Sequence, residues 1–367
     1  MRSVFGDDDA ENSTEWVRVR GPSAYQHLTN RQGQQTLLIG ESHGEHCMST
    51  TDIEVEKYLE GLVVGPETPH VFLEPGNENK KIPISRVNHR LRAPGTVPAG
   101  HLHVLDARDR LERLPVSSVT PGSVMYQVPQ HLALLRQLWD LSYRLRDTDR
   151  AWAQLLARPG NAARWQADIH YFRFLVSALA DPDWRERMLQ EINMPTAADV
   201  RALGHQVGLD FGKEATWLDD HWQCGYTGGG HIARPRKELI QRERALQHPI
   251  LSNSVAEQLR QTLEALLTAL DHQLVASEWF EQHARSLLQW EMHLTDAFGC
   301  LQDAEQIAEM DAAKSTTNLA YIGSGHIPYV SHVLRKHFGY EVADADEESA
   351  DCIELPVSPF TDGSTSR

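Results

Sequence analysis

Short apolar runs that stop at a polar turn punctuate the first third and the end of this chain. Runs bounded by glycine, proline or charged residues are typical of buried strands in a parallel sheet. Such runs occupy residues 36–40, 70–73, 101–105 and 318–323. Residues 341–345 and 352–357 are predicted as edge strands.

The middle of the chain has a different pattern, because its apolar residues recur every three to four positions. This spacing, from about residue 128 to residue 310, predicts roughly five to seven amphipathic helices. Examples are the leucines of residues 132–141, Phe172 to Leu179, and residues 255–270 and 279–290. A further helix from about Pro328 should end at Gly339, since a left-handed glycine commonly terminates helices.

The two patterns together predict an α/β fold, with a mainly parallel sheet, flanking helices and a long all-helical insertion. Residues 30–125 and 315–357 are expected to form the α/β catalytic core, and residues 126–312 the helical insertion that caps it. Residues 1–29 are predicted to be a largely disordered leader, because the start of the chain is polar and acidic. Residues 358–367 are expected to be a flexible tail.

Composition excludes several classes of function. The formal net charge of -16 argues against a nucleic-acid partner, and no run reaches the roughly 20 apolar residues of a membrane span. The four cysteines, Cys47, Cys224, Cys300 and Cys352, form no CxxC pair and are interpreted as reduced thiols of a cytoplasmic protein. Delivery by a specialised secretion system stays open, because its signal would not be visible here. The sequence makes no prediction of oligomeric state.

Ionisable residues follow each of the main predicted strands. They are Glu41 and His43 after the first strand, Glu74 after the second, Asp106 and Arg108 after the third, and His326 after the last. The carboxyl ends of parallel strands are where ligands bind. Buried charges cost several kcal/mol unless they are paired, so such a cluster is typical of a functional site. A Gly-x-x-His turn occurs twice, beginning at Gly40 and at Gly323.

Two chemical interpretations of this cluster stay open. In the first, the imidazoles and carboxylates bind a divalent cation or act directly as general base and acid on a water molecule. In the second, Gly40 to Gly44 is a Gly-x-Ser-x-Gly nucleophile elbow, with Ser42 attacking and Asp106 and His326 completing a triad. The first is favoured, because an elbow normally follows several strands and only one strand is predicted before Ser42.

Residues 38–44, 72–74 and 321–328 together resemble the superfamily that joins erythromycin esterases, ChaN-type haem-binding lipoproteins and the TIKI/TraB metalloproteases. The resemblance covers roughly residues 36–110 and 318–345. It places Glu41, His43, Glu74 and His326 at the active site. In TIKI-like members the positions of His43, Glu74 and His326 bind a divalent metal, which implies Mn²⁺, Co²⁺ or Zn²⁺. In erythromycin esterases the Glu and His act on water without an obligatory metal.

The chain combines features of both branches of this superfamily. Glu41 and Gly44 resemble the esterases, whereas the compact Gly-Ser-Gly-His turn that ends at His326 resembles TIKI/TraB proteins. The helix before that turn lacks the Arg-Asn pair of TIKI-like members and has Asp303, Glu305 and Asp311 instead. We expect a hydrolase that cleaves an ester or amide bond of a small-molecule or peptide substrate, and bacterial effectors and toxins also use this module. The alternative is a non-catalytic module that binds a haem-like ligand in the same crevice.

Overall fold

The structure is a computed structural model that divides into two compact units, Met1–Val104 with Ala313–Arg367, and Leu105–Ala312. It describes residues 15–41, 52–64, 68–75, 83–114, 120–125, 127–193, 197–211, 215–218, 252–271, 283, 301–347 and 352–360. The helical unit therefore begins at Leu105, before the predicted boundary at residue 126, and ends at Ala312, where the prediction placed it.

The first unit is built on strands. In chain order they are β1 (Trp16–Arg20), β2 (Ala24–Asn30), β3 (Gln35–Glu41), β4 (Ile53–Glu54), β5 (His70–Leu73), β6 (Leu102–Val104), β7 (Thr317–Gly323), β8 (Tyr340–Glu347) and β9 (Cys352–Pro356). Its described helices are α1 (Val55–Val63), α2 (Pro83–Leu91) and α12 (Ile327–Phe338). As predicted, the last of these ends at Gly339, which adopts a left-handed φ of 68°.

Six strands form one sheet in the order β6-β5-β7-β3-β2-β8. The strands β6, β5, β7 and β3 are parallel, whereas β2 and β8 pair antiparallel at one side. The predicted α/β fold with a mainly parallel sheet is confirmed. Of the two predicted edge strands, β8 is an edge of this sheet, while β9 pairs with β1 in a separate three-stranded sheet, β4-β1-β9.

The centre of the large sheet is apolar on both faces, as expected for strands covered on each side. Every residue of β7 is buried, and so are the last six residues of β3. Side chains of α1, α2, β1 and β9 form a core with one face of the sheet. On the sheet, α12 contacts β2, β3 and β8.

The predicted leader is wrong for residues 16–29, because β1 and β2 lie there. Val19, Tyr25 and Leu28 are fully buried or nearly so. Their strands are short and interrupted by polar residues such as Arg18 and His27, so the period-two pattern is too brief to separate from a polar segment. The tertiary pairing of β1 with β9 and of β2 with β3 and β8 orders them.

The prediction of four reduced thiols is wrong for Cys352, which is buried and disulfide-bonded. The other three cysteines lie outside the described residues. Sequence spacing detects only local pairs such as CxxC, whereas folding can join cysteines at any separation. Disulfides are typical of proteins in oxidising compartments, so the cytoplasmic interpretation loses the support that it took from the cysteines.

The second unit is helical throughout its described part. Its helices are α3 (Ala107–Glu112), α4 (Pro121–Met125), α5 (Val128–Leu145), α6 (Thr148–Leu156), α7 (Asn161–Ala180), α8 (Pro182–Asn193), α9 (Ala197–Gln206), α10 (Asn253–Asp271) and α11, described from residue 301. The predicted leucine stripe of α5 is buried. On α7, Phe172 and Leu175 are buried, but Phe174 is 38% exposed. The predicted helix at residues 279–290 lies outside the described residues.

Candidate functional site

Three of the predicted site residues lie at one edge of the sheet. Glu41 ends β3, Glu74 directly follows β5, and His326 ends a short 3₁₀ turn after β7. Because β5, β7 and β3 are adjacent and parallel, their carboxyl ends share that edge. The exposed fractions are only 1% for Glu41, 3% for Glu74 and 5% for His326. This part of the predicted cluster is therefore assembled from residues distant in sequence.

The backbone and the carboxylate of Glu74 are held by several hydrogen bonds. The Gly323 N–H donates to Glu74 Oε2 at 2.6 Å, and Glu74 N–H donates to the Tyr321 carbonyl at 3.1 Å. On the other side, Asn88 Nδ2 donates to the Glu74 carbonyl at 2.7 Å. His326 Nε2 lies 3.9 Å from Glu74 Oε2, too far for a direct hydrogen bond but close enough for electrostatic attraction.

Glu41 is paired with a buried tyrosine from the neighbouring strand. Tyr321 donates its hydroxyl to Glu41 Oε2 at 2.7 Å, and both side chains are almost completely buried. Burial, followed by the negative charge of Glu41, raises the pKa of Tyr321 well above its usual value. The phenol therefore remains a hydrogen-bond donor at physiological pH, and a hydrogen bond to a carboxylate is of the stronger, charge-assisted kind.

A network of charged side chains lies near this tyrosine. Arg86 of α2 pairs with Glu56 at 3.2 Å and with Glu54 at 3.4 Å, and Glu54 also pairs with Arg20. The charge of Glu56 contributes to the raised pKa of Tyr321, while that of Arg86 opposes it. The Glu41–Tyr321 pair is thus placed in a field of mixed sign rather than in a purely apolar core.

Gly40, near the end of β3, lies against the turn that follows β7, and this contact explains why the residue is glycine. In the register of β3 and β7, Gly40 is opposite Ile322 and Glu41 is opposite Gly323. A Cβ added at Gly40 would lie 2.6 Å from Ser324 Cα and 2.7 Å from Ile327 Cδ1. Since real Cβ atoms do not approach other atoms so closely, β3 needs glycine at position 40 to admit the turn that follows β7.

The remaining predicted site residues either lie outside the described residues or belong to the second unit. His43 and Ser42 lie outside the described residues, so the elbow interpretation remains a prediction. Asp106 and Arg108 belong to the helical unit, where Asp106 forms an ion pair with Arg110 Nε at 2.9 Å. The side chain of Arg108 also lies outside the described residues.

The helical unit has buried carboxylates of its own, and one of them is Glu305 on α11. It accepts the Ala107 N–H at 2.8 Å and forms an ion pair with Arg110. Burial raises the pKa of Glu305 to about 7, although these two partners act in the opposite direction. Glu305 therefore titrates near neutral pH inside its own unit.

The described residues supply two of the three predicted metal ligands, Glu74 and His326. No group of three or more His, Cys, Asp or Glu that could hold a metal ion is found in the part of the chain that the structure describes. These two described donors do not by themselves make a metal centre. Among the described helices, none is long and apolar enough to cross a membrane.

Sequence reasoning missed two residues of this site, Tyr321 and Asn88. The sequence places Tyr321 in an apolar strand, and a tyrosine in a central strand carries a hydroxyl that needs a partner when buried. Asn88 lies on α2 among the buried residues Ile84, Val87 and Leu91. The signal in the sequence is an asparagine on the apolar face of a helix, where a polar side chain needs a hydrogen-bond partner.

Comparison with known proteins gives no relative: no family model, curated protein or solved structure matches this chain.

Proposed function

We propose that the edge formed by the carboxyl ends of β5, β7 and β3 is the active site of a hydrolase that activates water to cleave an ester or amide bond. The observation that carries this proposal is the placement of two buried carboxylates and a buried imidazole at adjacent strand ends. Burying charged groups costs several kcal/mol, and apolar residues of similar size would stabilise the fold as well or better. A catalytic role for these three residues explains why ionisable side chains are buried at this edge despite their energetic cost.

The separation of Glu74 and His326 supports a role in activating water. A water molecule can hydrogen-bond to Glu74 Oε2 and His326 Nε2 together when they are 3.9 Å apart, because two ordinary hydrogen bonds span that gap. In the reaction the water O–H bond breaks, the imidazole takes the proton, and the oxygen attacks the substrate carbonyl carbon. The imidazolium then gives that proton to the leaving oxygen or nitrogen as its bond to the carbonyl carbon breaks.

Glu74 and Glu41 have different roles in this proposal. The Gly323 N–H and Asn88 fix the position of Glu74, which orients the water and stabilises the imidazolium. Glu41, which accepts a hydrogen bond from the Tyr321 hydroxyl, contacts the substrate at the carboxyl end of β3.

The proposal is tested with a panel of chromogenic esters and fluorogenic peptides, assayed with chelator and with added Mn²⁺, Co²⁺ or Zn²⁺. We expect turnover that falls by about 10²–10⁴-fold in His326→Ala and in Glu74→Gln, the range for loss of a general base and its support. The matched controls are His89→Ala and Glu341→Gln, which alter exposed residues of the same unit. Equal activity of the site variants and the wild type would refute the assignment.

A binding module in the same crevice is the competing outcome of this test. It predicts no turnover on any substrate, together with a ligand-induced rise in melting temperature that His326→Ala abolishes. Haem, whose binding is followed by its absorption spectrum, is the first ligand to test because of the resemblance to ChaN-type proteins.

A further inference from the structure

Three histidines lie together on one face of the large sheet, at the amino end of β5, whereas Glu74 follows its carboxyl end. His70 is the first residue of β5, while His101 precedes β6 and His103 lies within it. Phe72 is opposite His103 in the register of the two strands, so His70, Phe72, His101 and His103 share a face. The strand β6 is an edge of the sheet, only three residues long, and pairs with β5 alone.

The central contact of this cluster is a hydrogen bond between two imidazoles. His70 Nδ1 and His103 Nε2 are 3.0 Å apart, and their ring centroids are 5.3 Å apart with planes inclined by 28°. This centroid separation is reached only when the two ring nitrogens point straight at each other. One nitrogen therefore donates N–H and the other accepts it. A metal ion would instead require both lone pairs to converge on a third point, so the geometry fits a shared proton.

The remaining contacts fix the rings around this bond. The ring of His101 stacks on that of His70 at 4.3 Å, and its Nδ1–H donates to the Thr68 carbonyl at 3.1 Å. The ring of His103 stacks on Phe72 at 4.6 Å. The cluster thus joins β6 and the segment before it to β5 through side chains as well as backbone.

We propose that the His70–His103 pair is a proton-sensitive clasp that holds the edge strand β6 on β5 and releases it on mild acidification. While at least one ring is neutral, one nitrogen accepts and the clasp is closed. When both rings are protonated, neither has an acceptor, and two positive charges oppose each other beside the stacked ring of His101. Released, β6 would expose the backbone hydrogen-bonding groups of β5 as a new sheet edge.

The surroundings of His70 set the pH range of this clasp. Burial, then His101 and His103, lower the pKa of His70 from its ordinary value. Its other strand neighbour, Asn318 of β7, is neutral. In the unfolded segment His70 has its ordinary pKa near 6.5, whereas in the closed clasp its pKa is lower. The stability of the clasp is therefore full above that pH and is lost progressively as the pH falls below it.

The test is amide hydrogen exchange of the full-length protein between pH 8 and pH 5.5, corrected for the intrinsic exchange rate at each pH. We expect protection of residues 102–104 to fall about tenfold for each pH unit below 6.5, since one proton is taken up on opening. Protection of β7 should stay unchanged. In His103→Phe, which keeps an aromatic ring on Phe72, the protection of β6 should no longer depend on pH, and the exposed His89→Phe should behave as the wild type.

Histidine ring titration by NMR on the wild type provides a second measurement if a variant fails to fold. The clasp predicts that His70 titrates below the ordinary histidine pKa and that its ring resonances change over the same pH range in which the protection of residues 102–104 is lost. An unchanged protection of β6 down to pH 5.5 would refute the proposal. A rise in protection with Zn²⁺ at pH 8 that His103→Phe abolishes would also overturn it, and would assign the cluster to a metal. None of these readouts depends on hydrolytic activity.

Discussion

The titration of Glu305 predicts how the stability of the helical unit depends on pH. In the unfolded chain this carboxyl has an ordinary pKa near 4.5, and in the folded unit its pKa is about 7 because its side chain is only 2% exposed. The folded protein therefore binds more protons than the unfolded chain between these two values. The free energy of unfolding should fall as the pH rises from about 4.5 to about 7, by roughly 3 kcal/mol in total.

Glu305→Gln removes this titration while keeping the size of the side chain and an oxygen that can accept the Ala107 N–H. Its former partner Arg110 has a side chain 35% exposed, so water can solvate the guanidinium in the variant. We expect the wild type to lose about 2.5 kcal/mol relative to Glu305→Gln between pH 5 and pH 8, because part of the total change falls below pH 5. The difference between the two proteins cancels the contributions of all other titrating groups.

The assay is urea unfolding followed by far-ultraviolet circular dichroism at half-unit steps of pH. Glu264→Gln, which alters an exposed carboxylate that pairs with Arg260 on α10, is the control and should leave the pH dependence as it is in the wild type. A stability difference between the wild type and Glu305→Gln that stays constant from pH 5 to pH 8 would show that the carboxyl is ionised throughout. The reasoning from burial would then be refuted.

Three further predictions concern the candidate site. Gly40→Ala should destabilise the protein by about 1–3 kcal/mol in thermal unfolding, because the added Cβ meets the Ser324 backbone. The control Gly61→Ala, whose added Cβ lies in open space on α1, should be neutral or stabilising. Tyr321→Phe should cost about 1.5–3 kcal/mol in urea unfolding, because Glu41 loses a buried donor, and Tyr143→Phe, 81% exposed, should cost nothing measurable. If water is the nucleophile, Ser42→Ala should lower the hydrolysis rate about tenfold or less, whereas His43→Ala should lower it about 10²–10⁴-fold. Stoichiometric labelling of Ser42 by a fluorophosphonate, together with loss of activity in Ser42→Ala, would contradict this prediction.

The local pattern of the chain determined the central strands of the large sheet and the long helices. A run such as residues 318–323 is buried on both faces and stops at glycine, so its strand, its carboxyl end and the following His326 could be predicted without knowledge of its neighbours. The same reasoning found Glu41 and Glu74, because their placement follows directly from the end of a strand.

Only the tertiary structure decided which strand ends meet. The strand β7 comes from the far end of the chain yet lies between β3 and β5, an order that no local pattern contains. This insertion places the Tyr321 hydroxyl on Glu41, 280 positions away in sequence, and the Gly323 N–H on Glu74. The strands β1 and β2 could not be predicted for a similar reason. Their short, mixed patterns become strands only when β9 and β8, from the end of the chain, pair with them. Periodicity reports the environment of one segment, whereas strand order and register depend on how all segments together bury their apolar faces.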